Sequence, residues 1–298
     1  MVSGPAPLLG RRGFLISAAA LAAAGPVFAQ GSGSMRLAAI DWAMLETATA
    51  IGHAPVAACE LISYHGEASV PEVPGMVDLG LRGAPNYELL QLIRPDLILT
   101  SPFYVQHEAR LRSVAPVLSL EFYVPGAPPF AKAMQAMADL AAATGDPDAG
   151  ARAQAETMVQ LDGLAARLAP FADRPVSLID IGDARHLRAF GFDSMFGDVL
   201  GRLGLQNAWT DRTQFSFRAP LPIERLAETP EARIVIAGEI PVEALDGLRR
   251  SILWQALPAV RDGRIYVLPN VNAFGGIPSA LRFANLLAEA FETGPITI

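Results

Sequence analysis

What most constrains this chain is a rhythm and its one interruption. Short apolar runs alternate with helix-patterned stretches, giving expected strands at Leu37–Ile40, Pro55–Cys59, Val77–Leu79, Leu97–Thr100 and Val117–Leu120. Helical patterns fall between them at Trp42–Ile51, Tyr87–Ile93 and Gln106–Ser113. Such alternation calls for a mostly parallel sheet covered by helices. Residues 146–169 break it: Asp146 and Pro147 read as an N-cap and first helical residue, Gly163 is the only glycine from Ala151 to Leu168, and Pro170 ends the run. At 1.5 Å per residue this helix is roughly 30 Å long, enough to bridge two lobes. Beyond it the strand-like runs resume at Val176–Ile181, Leu187–Phe190, Ile234–Ala237 and Ile265–Leu268, with helices at Met195–Leu203, Pro222–Leu226 and Ile277–Phe291.

An internal echo supports two related lobes. The segment Pro85–Leu90, leading through Arg94-Pro95 to Leu97–Leu99, matches Leu221–Leu226, leading through Pro230 to Ile234–Ile236. Each copy is a short helix with a glutamate in its first turn, a proline-marked turn and a buried strand, and the two copies flank the long helix. The expected fold is therefore α/β: two Rossmann-like lobes, residues 30–145 and 170–298, joined by the single helix 146–169, with a ligand cleft between them.

The 298 residues are 51% hydrophobic and 18% charged, ample for a large core. A formal charge of -7 opposes a nucleic-acid partner, which needs a basic face. The single cysteine, Cys59, excludes an intramolecular disulfide and a multi-cysteine zinc site. His53, His65, His107 and His186 are scattered and read as surface or capping residues, so no metal held by the protein is expected.

The N-terminus reads as an address. Arg11 and Arg12 precede a short apolar segment ending in Val27-Phe28-Ala29, a small-x-small cleavage pattern. The two arginines followed by Gly13, Phe14 and Leu15 resemble a twin-arginine signal, with Gly10 a departure where Ser or Thr is usual; an ordinary secretion signal is the alternative. Either implies a signal peptide over residues 1–29, cleavage after Ala29 and a periplasmic product. That segment holds two arginines and no acid, so the remainder carries 21 bases against 30 acids, or -9.

Common catalytic signatures are missing: no phosphate-binding P-loop, nucleophile elbow, zinc-protease pair or dinucleotide fingerprint occurs. Asp180 and Asp183 near Arg185 and His186 form a candidate acid/base group for an exported enzyme, although loop solvation explains them better.

Against that background the sequence resembles the periplasmic binding proteins that serve ABC importers of iron chelates and cobalamin, and within them the ferric-hydroxamate-binding proteins. The resemblance covers nearly all of the exported chain. It rests on Asp78 through Leu90 (Asp-Leu-Gly-Leu-Arg-Gly-Ala-Pro-Asn-Tyr-Glu-Leu-Leu), Phe190–Phe196, Asn207-Ala208-Trp209, Leu253–Arg264 and Asp41-Trp42.

The resemblance implies a monomeric, non-enzymatic protein without a cofactor, whose ligand is an Fe(III)–siderophore complex and whose partner is an ABC permease of the inner membrane. It places Arg82 where the family hydrogen-bonds hydroxamate oxygens, a task suited to a permanently charged planar fork. Tyr104, beyond a strand's carboxyl end, matches the family's second hydrogen-bonding residue. The bland alternatives are a surface arginine after Gly80 and an exposed loop tyrosine.

An apolar chelate periphery calls for aromatic walls: Trp42 and Tyr64 from the first lobe, Phe215, Phe217 and Phe274 from the second. Here the chain departs from the family, with Ser216 at a tryptophan position and Asn272 and Ala273 beside Phe274. Asn272 therefore joins the expected lining, and a smaller or more polar second wall follows. Glu88 and Glu224 fall where the family's glutamates dock on permease arginines; placement near a helix N-terminus is the alternative. Within the same class, haem, cobalamin or a catecholate chelate remain open ligands. A catecholate should gather several arginines, for which Arg82 and Arg218 are the candidates.

Overall fold

The computed structural model describes residues 35–67, 69, 74–210 and 220–298. The signal-peptide segment 1–29 and the expected wall residues Phe215 and Phe217, with Ser216 and Arg218, lie outside the described residues.

The first sheet contains β1 (Leu37–Ala39), β2 (Ala57–Ala58) and β3 (Val77–Asp78). After a small ribbon of β4 (Gly80–Leu81) and β5 (Ala84–Pro85), it gains β6 (Leu97–Thr100) and β7 (Val117–Ser119). The order is β3-β2-β1-β6-β7, with every pairing parallel. Between the strands run α1 (Trp42–Ala50), α2 (Leu61–Glu67), α3 (Tyr87–Ile93) and α4 (Val105–Arg112).

Two helices then lead onward, α5 (Phe130–Ala143) and α6 (Pro147–Leu168). Asp146 caps α6 by accepting from the Ala149 N–H, with Pro147 at the first helical position.

The second sheet uses β8 (Val176–Ile181), β9 (His186–Ala189), β10 (Leu221–Pro222), β11 (Arg233–Ala237) and β12 (Ile265–Leu268), in the order β10-β9-β8-β11-β12. Its helices are α7 (Met195–Arg202), α8 (Val242–Arg250), α9 (Ile252–Ala256), α10 (Pro258–Arg261) and α11 (Ile277–Thr293). Only β8, β11 and β12 run parallel; β9 pairs antiparallel with both its neighbours, because the short 182–185 turn returns the chain directly beside β8.

The echoed segments occupy matching places. β6 sits between the first strand of its sheet and β7, and β11 sits between β8 and β12. The helical turn after Pro222 departs from the expectation: it is a 3-10 helix, Ile223–Glu228, whereas its counterpart α3 is α-helical and capped by Asn86.

The central strands of each sheet are buried on both faces, as near-continuous apolar strands require. Ala38, Ile40 and Ile98 turn outward with Leu90 and Leu111, while Ile179, Ile181 and Ile234 turn outward with Leu248 and Trp254. The inward faces, Leu37 and Ala39 from one sheet and Val176, Leu178 and Val235 from the other, share a single apolar core with α1, α5, α6, α7 and α11. Residues 35–298 accordingly form one compact unit.

The Ala-rich helix α5 lies where the sequence reading expected no element, and it is central to that shared layer. Gly150 of α6 allows it close contact: a Cβ there would stand 2.8 Å from Ala141 Cβ and 3.0 Å from the Met137 carbonyl oxygen.

Candidate functional site

In open parallel sheets, ligand-contacting residues collect beyond the carboxyl ends of the strands. The loop after β1 carries Asp41 and Trp42, that after β2 carries Glu60, and the ribbon after β3 carries Arg82. The loop after β6 carries Ser101, Phe103 and Tyr104, and that after β7 carries Tyr123.

These residues are wired together. Asp41 caps α1 through Ala43 N at 2.7 Å and accepts from Ser101 Oγ at 2.6 Å, tying β1 to β6. Arg82 Nε donates to Glu60 Oε2 at 2.7 Å, and its backbone N–H donates to Glu60 Oε1 at 2.9 Å. Glu60 itself adopts a left-handed backbone, φ 54°. The Arg82 guanidinium carbon lies 3.8 Å from the Trp42 ring centroid, a cation–π stack. Trp42 is fixed in turn by its indole N–H on the Cys59 carbonyl at 2.9 Å and by an edge contact with Tyr64, 5.2 Å between centroids.

The structure thus brings Arg82, Trp42, Tyr64 and Tyr104 to one end of the first lobe. Trp42 and Tyr64 are buried and form the bed on which the arginine lies. Neither Arg82 Nη donates to a protein acceptor among the described residues, and the side chain is about a quarter exposed, at 27%. Burial pushes the Tyr104 phenol up to about 12, helped by the nearby Asp41 charge, so Tyr104 stays a neutral hydrogen-bond donor. Burial also raises the Asp41 carboxyl, against the hydrogen bonds from Ser101 and Ala43 and the charge of Arg82. Glu67 is raised by burial too, opposed by Arg82. One guanidinium is therefore surrounded by carboxyl groups.

Sequence reasoning missed Glu60, whose partner lies 22 residues further on, and two exposed apolar side chains beside the polar pair. Phe103, 80% exposed, stands edge-on to Tyr104, and Leu81, 64% exposed, precedes Arg82. The available signal was that each adjoins a predicted contact in the sequence, Phe103 beside Tyr104 and Leu81 beside Arg82.

On the second lobe the loop after β12 carries Asn272 and Phe274. Phe274 is half-exposed and meets Tyr123 of the first lobe edge-on, 5.5 Å between centroids. Asn272, expected in the lining, is instead buried: its Nδ2 donates to Glu46 Oε1 at 3.2 Å and its Oδ1 accepts from the Phe274 N–H at 3.0 Å. It shapes the loop that presents Phe274.

Glu46, on α1, is fully buried and reaches across the lobes. Its Oε2 accepts from the N–H groups of Gly276 at 2.8 Å and Ser279 at 3.2 Å, and its Oε1 accepts from Ser279 Oγ at 2.7 Å. Burial drives its carboxyl up to about 7 despite these donors. Nothing in the sequence near Glu46 announces this, because every partner lies more than 220 residues away.

Glu88 and Glu224 are exposed, each the second residue of its helix, and neither forms an ion pair among the described residues. The candidate enzyme group is arranged otherwise: Asp183 accepts from the backbone of Arg185 and His186 and from His186 Nδ1 at 2.9 Å, forming the β8–β9 turn, while Asp180 pairs with Arg188. Among the described residues no group of three or more His, Cys, Asp or Glu side chains could hold a metal, and no helix is long and apolar enough to cross a membrane.

Comparisons with known proteins agree with this geometry. The sequence profile described as "periplasmic binding protein" matches residues 37–271. The chain is 30% identical over 256 residues, 86% of each protein, to the iron(3+)-hydroxamate-binding protein FhuD of Escherichia coli (strain K12). Its fold is similar to the siderophore-binding protein FhuD from Vibrio cholerae, solved with Fe3+–Desferal, at TM-score 0.79 and 24% identity, covering 88% of this chain and 100% of that one. It is also similar to the triscatecholate siderophore-binding protein FeuA from Bacillus subtilis, at TM-score 0.66 and 19% identity, covering 87% and 92%.

Proposed function

Because this chain belongs to the periplasmic binding protein family, we propose that it captures an iron(III) hydroxamate siderophore between its lobes and delivers it to an ABC importer. The observation that carries this reading is Arg82, stacked on Trp42 and held by Glu60 through Nε alone, which leaves its two Nη groups to meet ligand oxygens beside the Tyr104 phenol. Oxygens bound to Fe(III) retain partial negative charge, and charge-assisted donors suit them. Phe103, Leu81 and Phe274 supply apolar surface for the chelate's periphery. Phe215 and Phe217 belong to the same proposed wall, with Trp42, Tyr64 and Asn272 as the layer supporting it.

Charge favours hydroxamate over catecholate. A ferric tris-hydroxamate core is neutral, whereas a tris-catecholate core is trianionic, and Asp41, Glu60 and Glu67 lie near Arg82, the one arginine of the site among the described residues. Iron stays wrapped in its chelator throughout, so the protein makes and breaks no bond and ligates no metal.

The same reading assigns Glu88 and Glu224 to docking on permease arginines, one from each lobe, where exposed acids guide encounter. It takes the protein as a monomer exported to the periplasm by a twin-arginine-like signal cleaved after Ala29. Its lobes are residues 30–145 and 170–298, with 146–169 as the bridge.

The test is titration of intrinsic tryptophan fluorescence with a panel of ferric siderophores, repeated for Arg82→Ala. Ferric hydroxamates should bind the wild-type chain and bind the variant more weakly. If none binds more tightly than about 10 µM, about 7 kcal/mol, the assignment fails.

A further inference from the structure

Glu46 contributes nothing to the cleft directly, yet it is the most heavily hydrogen-bonded buried acid described. It takes four bonds, all from the second lobe: Gly276 N, Ser279 N, Ser279 Oγ and Asn272 Nδ2. Two of these are the N–H of Gly276, the N-cap residue of α11, and that of Ser279 in its first turn, so the carboxyl of one lobe caps a helix of the other.

The fit is close. A Cβ at Gly275 would stand 2.5 Å from Glu46 Oε2, and one at Gly276 would stand 3.1 Å from the Ala43 carbonyl oxygen. Tyr123 fastens the same loop beside it, donating to the Gly275 carbonyl at 2.6 Å. The loop so held is the one that carries Phe274.

We propose that Glu46 is a positioning residue: it latches the Asn272–Gly276 loop of the second lobe onto the first, and its ionisation loosens that hold and with it the placing of Phe274 at the cleft. The latch stands on the geometry alone, while its effect on a chelate rests on the function proposed above.

The direction follows from linkage. The latched carboxyl titrates at about 7, whereas a solvated one does so at 4.5, so closing the latch takes up a proton between those values. Acidification tightens the latch; raising the pH through 4.5 to 7 weakens it, and the effect levels off above 7.

The network can absorb the proton. A protonated Oε1 donates to Ser279 Oγ, which passes its own hydrogen to Ser69 Oγ, 2.9 Å away. Ionisable groups on the elements packed around α1 are otherwise engaged: Tyr123 with the Gly275 carbonyl, Asp41 with Ser101, Arg282 of α11 with the Asn270 carbonyl, and Lys132 of α5 with Glu121. Tyr123 is itself held well above its usual range by burial and by the Glu46 charge, so it stays neutral.

The test compares the full chain with Glu46→Gln, a neutral isostere, and Glu46→Ala, which removes the cap. Without ligand, hydrogen exchange of the Gly276 and Ser279 amides, corrected for intrinsic rates, should show the wild-type latch opening on the order of a hundredfold more at pH 8 than at pH 5. Glu46→Gln should show no such dependence, and Glu46→Ala should be weakly protected at both pH values. Affinity for ferric desferrioxamine should follow the same pattern. Equal protection in wild type and Glu46→Ala overturns the latch, as does a pH trend retained in Glu46→Gln. Protection that responds as expected while affinity ignores Glu46 overturns the coupling. Wild type that shows the exchange pattern but binds no ferric hydroxamate overturns the functional reading and leaves the latch standing.

Discussion

Substituting alanine at Gly275 should damage the molecule where the lobes meet, whereas the same change at Gly163 should help it. At Gly275 the new methyl would sit 2.0 Å from Ser279 Oγ, 2.5 Å from Ser279 Cβ and 2.5 Å from Glu46 Oε2. Rotating Ser279 cannot relieve the Cβ collision, because the backbone of α11 fixes that atom. The loop must therefore move off α1, which sacrifices bonds to Glu46. Overpacking of this kind costs about 1–3 kcal/mol, and leaving a buried polar group unsatisfied costs about 1–3 kcal/mol more. A combined loss of roughly 2–6 kcal/mol lowers the melting temperature by about 4–24 °C for a chain of this size.

Gly163 lies on the exposed face of α6, and a Cβ there would meet nothing within 4 Å. Alanine at this position gains about 0.8–1 kcal/mol of helix propensity, or roughly 2–4 °C. Differential scanning calorimetry of the two variants beside the wild type checks both signs. If Gly275→Ala melts with the wild type, the close approach of loop and helix is not as described, and the latch falls with it.

Four further outcomes are expected. Arg82→Lys keeps the charge but not the fork or the stack, so ferric hydroxamate affinity should drop by about 1.5–3 kcal/mol, roughly ten- to a hundredfold by fluorescence titration; unchanged affinity removes Arg82 from the site. Stability should rise on acidification from pH 7 towards 4.5 by up to the order of 3 kcal/mol through Glu46, because the folded state holds the proton that the unfolded state has lost; a denaturant series in which Glu46→Gln shows the same rise refutes this. Glu88→Ala and Glu224→Ala should leave siderophore affinity intact yet lower uptake in reconstituted vesicles, and normal uptake by the double variant ends the docking assignment. Cys59, buried and with its thiol pushed up to about 12 by burial, should resist alkylation at pH 8 until the protein is denatured, which a timed thiol assay reads directly.

Local signals made much of the fold legible. The Asp146-Pro147 start of α6 and the apolar runs of β6, β8 and β12 are each written in consecutive residues, and the structure places them within a residue or two of their expected bounds. Helix α5 was not anticipated, although Phe130, Ala133, Met137 and Leu140 recur at helical spacing and form its buried face. The antiparallel β9 was hidden for a physical reason: strand direction depends on which neighbour a strand finds, and its own residues carry no such mark.

In the candidate site, Arg82 stood out through resemblance, and Tyr104 through resemblance and its place beyond a strand's carboxyl end. Glu60 and Glu46 did not. A carboxylate's role is set by its partner, and these partners are supplied by other elements, for Glu46 by the far end of the chain.

The shared helical layer has a consequence for how the protein is made. Helix α1 packs on α11 as well as on α5, so part of the burial of an early element awaits one formed at the far end of the chain. Contacts between such distant segments form slowly, because the chain must first close a long loop. Until then the parts of α1, α5 and α6 that meet α11 stand uncovered, an invitation to aggregation. A chain cut after α6 would keep a complete first sheet and still lack the cover it needs. Separately expressed halves should therefore be insoluble alone and regain solubility when co-expressed.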